Sequence, residues 1–166
     1  MPELPEVQTI VNDLNDTGLK GAVITGALVH WPRSIANMAP GRFARTLTGL
    51  RVARIYRRAK FIIFELGTHE AALLIHLRMS GRLRIARSGD KALKHEHVCI
   101  TFEDERELRL HDTRKFARVY LCASAEAITA ELGPDPLGPE FTLKEFRSLL
   151  RKRSRMLKPL LLDQRF

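Results

Sequence analysis

The segment LRVARIYRRAKFIIFEL, residues 50–66, determines how the middle of this chain folds. Apolar side chains alternate with basic ones over much of its first half and form the run FIIF in its second, and many of them are β-branched or aromatic. A period of two with this composition is typical of β-strands. We therefore predict two consecutive strands, at 50–58 and 60–66.

The same period recurs on both sides of this segment. Short turns such as GTHE and EDER separate several of the repeats, which predicts antiparallel hairpins. No helix of 10–15 residues alternates with the strands, so a parallel βαβ sheet is disfavoured. The further predicted strands are 22–30, 71–79, 97–103, 107–112 and 117–122.

The amino-terminal segment has a different period. Apolar residues follow helical spacing in residues 3–16, at Val7, Ile10, Val11 and Leu14, which predicts an amphipathic helix. The simplest closed arrangement lays this helix against two packed sheets. We therefore predict a mainly β fold with flanking helices (α+β), built as a two-layer antiparallel β-sandwich.

The carboxyl-terminal part of the chain changes in texture. Residues 124–132 predict a short helix, and GPDPLGPE, residues 133–140, marks a linker. Thr142 and Glu145 form a capping box for a helix through about residue 150. The predicted divisions are a sandwich domain at 1–132, a linker and connecting helix at 133–153, and the start of a helical domain at 154–166.

Composition narrows the class of protein. The chain has 28 Lys+Arg against 19 Asp+Glu, a formal charge of +9, and 45% hydrophobic residues. It contains no apolar run of 18 residues and no secretory signal, so we expect a cytoplasmic protein without a membrane span. Cys99 and Cys122 cannot form a disulfide scaffold, and they are most simply core thiols.

The positive charge is segregated along the chain. Residues 17–64 contain no Asp or Glu, and further basic clusters occupy 78–87 and 151–158. Solvated strand faces and a solubilising tail are the simpler interpretation. Four acidic residues, Glu3, Glu6, Asp13 and Asp16, lie together at the start of the chain, however. This segregation favours a basic surface beside an acidic pocket and a nucleic-acid partner.

Pro2 offers unusual chemistry if Met1 is removed. Its secondary amine would attack an aldehyde-like carbon and give a cationic iminium ion, which promotes loss of a β leaving group. A generic α-amine, with a pKa of about 7.7–8.0, is roughly 10–15% neutral at pH 7, against below ~0.1% for lysine. Glu3 and Glu6 share a helix face beside this amine and could move protons. A capped helix start with favourable first-turn acids is the competing interpretation.

Five motifs in this order connect these features: MPELPEV at the start, RRAKFIIFEL at 57–66, HLRMSG at 76–81, HDTRKF at 111–116 and KPLLLDQRF at 158–166. With them the whole chain resembles the formamidopyrimidine-DNA glycosylases. The resemblance implies a base-excision repair glycosylase and abasic-site lyase that removes oxidised purines, namely 8-oxoguanine and formamidopyrimidines. It also implies β,δ-elimination through a proline iminium intermediate, and double-stranded DNA with oxidised bases or abasic sites as partner.

The resemblance assigns roles residue by residue. Pro2 is the nucleophile, Glu3 the proton donor and Glu6 a second, orienting carboxylate. Lys60 contacts a phosphate, although Ala59 stands where the family pattern has glycine.

The remaining assignments concern the duplex. Met79, Arg114 and Phe116 fill the gap left by a flipped base, where core packing is the alternative for the two apolar side chains. Lys115 supplies a phosphate contact in a loop that departs from the family's PRRFG. His76 lies within an apolar strand, which favours a satisfied or groove-lining histidine over a base.

The family continues beyond DQRF into a helix-two-turn-helix segment and a four-cysteine zinc finger. We therefore expect this chain to be an N-terminal catalytic domain, weak or inactive alone, with zinc in the absent region and no cofactor of its own. His95 and His97 flank Glu96, but no third metal ligand is evident. We expect a monomer. The alternatives are a non-catalytic basic DNA-binding module, an inactive fragment or an RNA-binding β-domain.

Overall fold

A computed structural model describes residues 2–68, 71–139 and 141–166. The chain forms two compact units, the first ending at Ala127 and the second comprising Ile128–Phe166. The predicted division at 132/133 remains a prediction beside this observed one. Within the described ranges, no helix has both the length and the apolar character needed to cross a membrane.

The first unit is a two-layer antiparallel β-sandwich, as predicted. One sheet has the strand order β1-β6-β7-β5 and the other β2-β3-β4-β8, and every pairing is antiparallel. The strands of the described ranges are β1 (Ile24–Val29), β2 (Val52–Arg58), β3 (Phe61–Leu66), β4 (Ala71–His76), β5 (Arg82–Arg87), β6 (Glu96–Phe102), β7 (Arg106–His111) and β8 (Arg118–Cys122).

Two helices complete this unit. The predicted amphipathic helix is α1 (Leu4–Asp16), and it packs on β2 and β3 through Val7, Val11 and Leu14. A second helix, α2 (Pro40–Leu47), packs on β1 and buries Phe43 and Leu47 completely. A short 3-10 turn, Pro32–Ser34, precedes it.

The hydrophobic core is one cluster that includes α1, α2 and both sheets. The paired residues Ile63 and Leu74 are also fully buried, although their neighbours Ile62 and Leu73 belong to that cluster. Because side chains alternate across a strand, both faces of β3 and β4 are covered. This double burial explains why their sequences are nearly continuous apolar runs.

The sequence pattern missed β5 and α2. Residues 82–87 read as a basic cluster, but Leu83 and Ile85 pack against the core, Ala86 is buried, and only Arg82 and Arg87 at the two ends of the strand are fully exposed. A buried ionic network explains the basic outer face: Arg109, only 5% exposed, pairs with Glu107 at 2.6 Å and with Glu96 at 3.2 Å. Paired charges of this kind can occupy a sheet face that alternation rules assign to solvent.

The second unit is small and helical. Its helices are α4 (Leu143–Arg151) and α5 (Leu157–Leu162), and a short helix, α3 (Glu126–Thr129), begins before the division between the units. Thr142 caps α4 as predicted, since its hydroxyl oxygen accepts a hydrogen bond from the Glu145 N–H at 3.2 Å. Rings of Phe141, Phe146 and Phe166 meet edge to face.

Substitution of Phe43 tests how far the core depends on α2. The Phe43→Ala variant should lose about 3–5 kcal/mol of unfolding free energy, because a fully buried ring leaves a cavity. Urea unfolding followed by the fluorescence of Trp31, the chain's single tryptophan, measures this loss. The exposed neighbour Arg42→Ala should stay within about 0.5 kcal/mol of the parent. Equal losses in the two variants would contradict this assignment of the core.

Candidate functional site

The first turn of α1 fixes the positions of the three acidic and imino residues at the chain's start. Glu3 is the N-cap residue of the helix and Pro2 precedes it, half-buried. The Glu6 carboxylate accepts a hydrogen bond from the Glu3 backbone N–H at 2.5 Å. A side chain at this helix position that reaches back to the N-cap is half of a capping box. Glu6 is thereby held beside the residue that follows Pro2.

Lys60 lies next to the predicted proton donor. Its Nζ is 2.6 Å from Glu3 Oε2, with the Lys60 side chain 15% exposed and that of Glu3 59% exposed. The lysine occupies the tight turn between β2 and β3, where Ala59 has a φ of 47°. The turn therefore adopts a left-handed conformation without glycine, and the lysine keeps its place.

A second contact ties this turn to α1. The Arg57 guanidinium donates from Nε to Gln8 Oε1 at 3.0 Å and from Nη1 to the Ala59 carbonyl at 3.1 Å. One side chain therefore bridges the helix and the turn. Because Gln8 lies one turn beyond Glu3 and Ala59 adjoins Lys60, the bridge supports the Lys60–Glu3 ion pair.

A cavity of about 820 Å³ opens beside Pro2 and Glu6. The same helix contributes Thr9 and Ile10 to its wall. The opposite wall comes from the loop that follows β4 and from the ends of β5 and β7. The residues on that wall are Met79, Ser80, Gly81, Arg82, Leu83, His111 and Thr113.

The Asp112 carboxylate joins the two loops of that wall. Asp112 is 1% exposed, and its Oδ2 accepts hydrogen bonds from the N–H groups of Phe116 at 2.6 Å and Ala117 at 2.7 Å. Its Oδ1 accepts from the Arg114 N–H at 3.1 Å and from the Ser80 hydroxyl. Burial raises the pKa of this carboxyl, but these hydrogen bonds outweigh it and the pKa is lowered. The carboxylate therefore fixes residues 113–117 against the loop of Met79.

The predicted wedge side chains lie on these two loops and are accessible. Met79 is 46% exposed and Phe116 45% exposed, so neither is a core residue. The Arg114 guanidinium stacks over the Phe116 ring, with Cζ 4.9 Å from the centroid. The structure brings together the two loops that carry all three residues.

Gly81 permits the close approach of the two loops. A Cβ added there would lie 2.5 Å from the Leu77 carbonyl oxygen and 3.1 Å from the Ala117 Cβ. Any larger residue would therefore push the 77–81 loop away from residue 117. Small side chains at both positions keep the wedge residues next to each other.

Lys115 lies on the same loop, in a left-handed conformation with φ 60°. Its Nζ is 4.1 Å from the centroid of the half-buried Trp31 ring, and the ring also attracts the Arg33 guanidinium at 5.9 Å. Sequence reasoning left Trp31 unassigned. This cation–π contact orients Lys115, the side chain predicted to bind a DNA phosphate.

His76 is buried rather than open to the groove. It is 4% exposed, its Nδ1 accepts a hydrogen bond from the Arg78 N–H at 3.1 Å, and its ring meets Phe61 edge-on at 4.8 Å. Burial, with the charges of Arg78 and Lys60, lowers the pKa of this imidazole to about 4. The ring is neutral at pH 7, and its contact with DNA stays a prediction.

The residues around His95 engage in structural contacts. His97 Nε2 lies 2.8 Å from the Asp112 carbonyl oxygen, and the Glu96 carboxylate pairs with Arg84 at 2.6 Å. Within residues 2–68, 71–139 and 141–166, no group of three or more His, Cys, Asp or Glu side chains could hold a metal ion.

The two cysteines are free and half-buried. Burial, with hydrogen bonding and charge from Glu107, raises the pKa of the Cys99 thiol to about 11. A thiol with so high a pKa is protonated at neutral pH and therefore unreactive.

Sequence reasoning missed Asp112 and Ser80 as positioning residues, and Arg82 and His111 as cavity residues. One signal for Asp112 was present, since an aspartate followed by polar turn residues often accepts hydrogen bonds from the next backbone N–H groups. The contact with Ser80 spans 32 positions and had no local signal.

Comparisons with known proteins agree on one family. The family model described as the formamidopyrimidine-DNA glycosylase N-terminal domain matches residues 1–119. The chain is 42% identical over 166 residues to the formamidopyrimidine-DNA glycosylase of Protochlamydia amoebophila, with 100% of this chain and 60% of that protein covered. The corresponding protein of Herpetosiphon aurantiacus is 37% identical over 166 residues, with 99% and 60% covered. The chain thus spans about 60% of the length of these relatives.

Solved structures show the same likeness. A complex of Lactococcus lactis Fpg with DNA containing an abasic site has a TM-score of 0.87 at 33% identity, covering 99% of this chain and 61% of that chain. A complex of the same enzyme with DNA containing Fapy-dG has a TM-score of 0.87 at 33% identity, covering 98% and 62%.

Replacement of Asp112 tests its structural role. The Asp112→Ala variant should lose roughly 3 kcal/mol of unfolding free energy, because each buried donor left without a partner costs about 1–3 kcal/mol. Urea unfolding followed by Trp31 fluorescence measures the loss. The exposed Asp13→Ala serves as the matched control and should leave stability nearly unchanged.

The loss should also depend on pH in one direction. A carboxyl whose folded-state pKa is depressed stabilises the fold above its ordinary pKa, and this stabilisation disappears as the pH falls through the folded value. The stability difference between the parent and Asp112→Asn should therefore be constant above about pH 5 and shrink below about pH 4. A difference that grows towards acid would contradict the charged state of Asp112.

Proposed function

Because the chain belongs to the formamidopyrimidine-DNA glycosylase family, we propose that it excises oxidised purines from double-stranded DNA and cleaves the strand at the resulting abasic site. The substrates we propose are 8-oxoguanine and formamidopyrimidines. The observation that carries this proposal is the cavity shared by Pro2, Glu6 and Met79. A nucleophile, a carboxylate and an exposed apolar side chain beside one cavity are what excision of an extrahelical base requires.

The reaction begins at the Pro2 nitrogen, once Met1 has been removed. Its lone pair forms a bond to C1′ of the lesion nucleoside while the C1′–N bond to the base breaks and its electrons leave with the base. The nitrogen then loses its proton, and its lone pair expels the ring oxygen O4′. The product is an iminium ion joining Pro2 to the opened sugar.

The two carboxyl groups divide the proton transfers. Glu3 donates the proton that O4′ takes up when the sugar opens, and Glu6 orients the reacting groups. The Glu6 hydrogen bond to the Glu3 N–H holds both acids beside Pro2 and supports this division. The Lys60 ammonium lies 2.6 Å from Glu3. A side chain that would bind a DNA phosphate therefore stands beside the proton donor.

Strand cleavage follows from the iminium ion. The cation acidifies the C2′ hydrogen, and loss of that proton expels the 3′ phosphate as the first elimination. A second, δ-elimination then expels the 5′ phosphate. Addition of water to the iminium ion that remains would break its bond to nitrogen and release Pro2 for another turnover.

The duplex must tolerate loss of the flipped nucleotide, which costs a few kcal/mol of unstacking. We assign Met79 and Phe116 to the gap that the flipped nucleotide leaves in the duplex, because both side chains are exposed. We assign Arg114 to the base opposite that gap, because its guanidinium stacks on Phe116. Lys60 and Lys115 would bind phosphates, and His76 would support the groove.

The whole protein is longer than this chain if it resembles its relatives, and we propose that its remaining part carries the zinc site of the family. The described residues do not fit such a site, since Cys99 and Cys122 lie on different sheets and no cluster of metal ligands is present in the described ranges. No step of the reaction here passes through a metal. We place the protein in the bacterial cytoplasm with its DNA.

Borohydride trapping tests the proposed chemistry. Full-length protein from which Met1 has been removed, as verified by mass spectrometry, should form a covalent adduct with DNA containing an abasic site, because borohydride reduces the iminium ion. The Pro2→Gly variant should lose most of this adduct, whereas Pro5→Ala, which changes an exposed proline in the first turn of α1, should retain it. Absence of any Pro2-dependent adduct would favour the non-catalytic DNA-binding alternative.

The salt dependence of binding tests Lys115. Each phosphate contact contributes about 0.9 to the slope of log affinity against log salt concentration, so Lys115→Ala should lower the slope by about one. Anisotropy of labelled lesion DNA measures it. Lys20→Ala, an exposed lysine beyond the opposite end of α1, should leave the slope unchanged. Equal slopes for all three proteins would show that Lys115 does not contact a DNA phosphate.

A further inference from the structure

Arg82 shares the cavity of Pro2 and Glu6, yet the motifs of the family assign it no role. It is the first residue of β5, an edge strand, and its register partner on β7 is His111, which lines the same cavity. Arg82 and His111 thus form a cross-strand pair on the wall opposite α1.

The charge of Arg82 is uncompensated, unlike that of three other arginines on this sheet. Arg84 pairs with Glu96 at 2.6 Å, Arg109 with Glu107 at 2.6 Å, and Arg106 with Asp104. Across the described part of the chain, Arg82 has no carboxylate within 4.0 Å. An exposed guanidinium without an ion-pair partner remains available to an anion.

Cleavage of the glycosidic bond creates such an anion. When Pro2 attacks C1′, the base departs with both electrons of the C1′–N bond, and its ring nitrogens and carbonyl oxygens carry the negative charge until a proton arrives. The Glu6 carboxylate cannot stabilise that charge, and in the proposed reaction Glu3 gives its proton to O4′. Among cavity residues, Arg82 carries a permanent positive charge on the side that faces them.

We propose that Arg82 is a further catalytic residue, which donates hydrogen bonds to the departing base and stabilises its developing negative charge. This inference rests on the proposed function, since it needs a base to be expelled. A donor placed where charge develops lowers the barrier to that step alone. The substrate class it favours is a base with carbonyl oxygens that accept from guanidinium, as oxidised purines have.

The two chemical steps separate this role from a binding role. Base excision creates the leaving anion, whereas elimination at a preformed abasic site does not involve a base. The Arg82→Gln variant should therefore excise 8-oxoguanine more slowly under single-turnover conditions and cleave preformed abasic DNA at the parent's rate. Loss of one preorganised donor costs roughly 100- to 1,000-fold in buried sites, and for exposed Arg82 we expect about 10- to 100-fold.

Two further variants serve as controls. Arg87→Gln removes an exposed arginine from the other end of β5, outside the cavity, and should keep the parent's excision rate. Arg82→Lys preserves the charge and should recover much of the rate that Arg82→Gln loses.

The possible results are distinct. Parent-like excision by Arg82→Gln would overturn the inference. Equal losses of excision and elimination, with the salt slope of binding lowered by about one, would make Arg82 a phosphate contact and also overturn it. Failure of the parent protein to form any Pro2-dependent adduct would refute the proposed function, and the inference with it.

Discussion

The buried carboxylate of Asp112 determines the shape of the site, because the two loops that connect the sheets there, 77–81 and 112–117, meet on it. The carboxylate accepts hydrogen bonds from three backbone N–H groups and from the Ser80 hydroxyl. The backbone of Asp112 is also bonded, since its N–H donates to the His95 carbonyl and its carbonyl accepts from His97. A charged group so buried is stable only when fully hydrogen-bonded. The bonds that satisfy it also fix the backbone that carries Arg114 and Phe116. The same hydrogen bonds therefore stabilise the buried charge and position the predicted wedge residues Arg114 and Phe116.

Much of the fold follows from local patterns in the sequence. The apolar spacing of Val7, Val11 and Leu14 predicts α1, and alternation predicts seven of the strands close to their observed bounds. The strand at 82–87 was not predicted, because Arg109 and its carboxylate partners form a polar outer layer on the sheet and the sequence of β5 therefore resembles a charge cluster. Helix α2 was not predicted either, because only Phe43 and Leu47 are buried in its eight residues and two apolar positions are too few to establish a helical period. Tertiary contacts decide both elements.

The candidate site divides in the same way. Pro2, Glu3 and Glu6 are adjacent in one helical turn, so their proximity is a property of the local sequence. Lys60 follows from a tight turn, but its ion pair with Glu3 requires β2 and β3 to pack under α1. Contacts such as Ser80 with Asp112 and Trp31 with Lys115 join distant segments, and a single sequence carries no signal of them.

Three of the five non-glycine residues with positive φ in the described ranges lie beside proposed DNA contacts, and hydrogen bonds hold them. Ala59, Arg78 and Lys115 have positive φ although they are not glycine, and they adjoin Lys60, Met79 and Phe116 respectively. Each such residue costs of order 1–3 kcal/mol and persists only when its surroundings enforce it. The Ala59 and Lys115 carbonyls accept from Arg57 and Arg118, and the Arg78 N–H donates to His76, each at 3.1 Å. His76 must be neutral to accept that bond, so its low pKa serves the Met79 loop. The fold thus holds contact side chains at three turn tips that would otherwise relax, which reduces the ordering cost of binding.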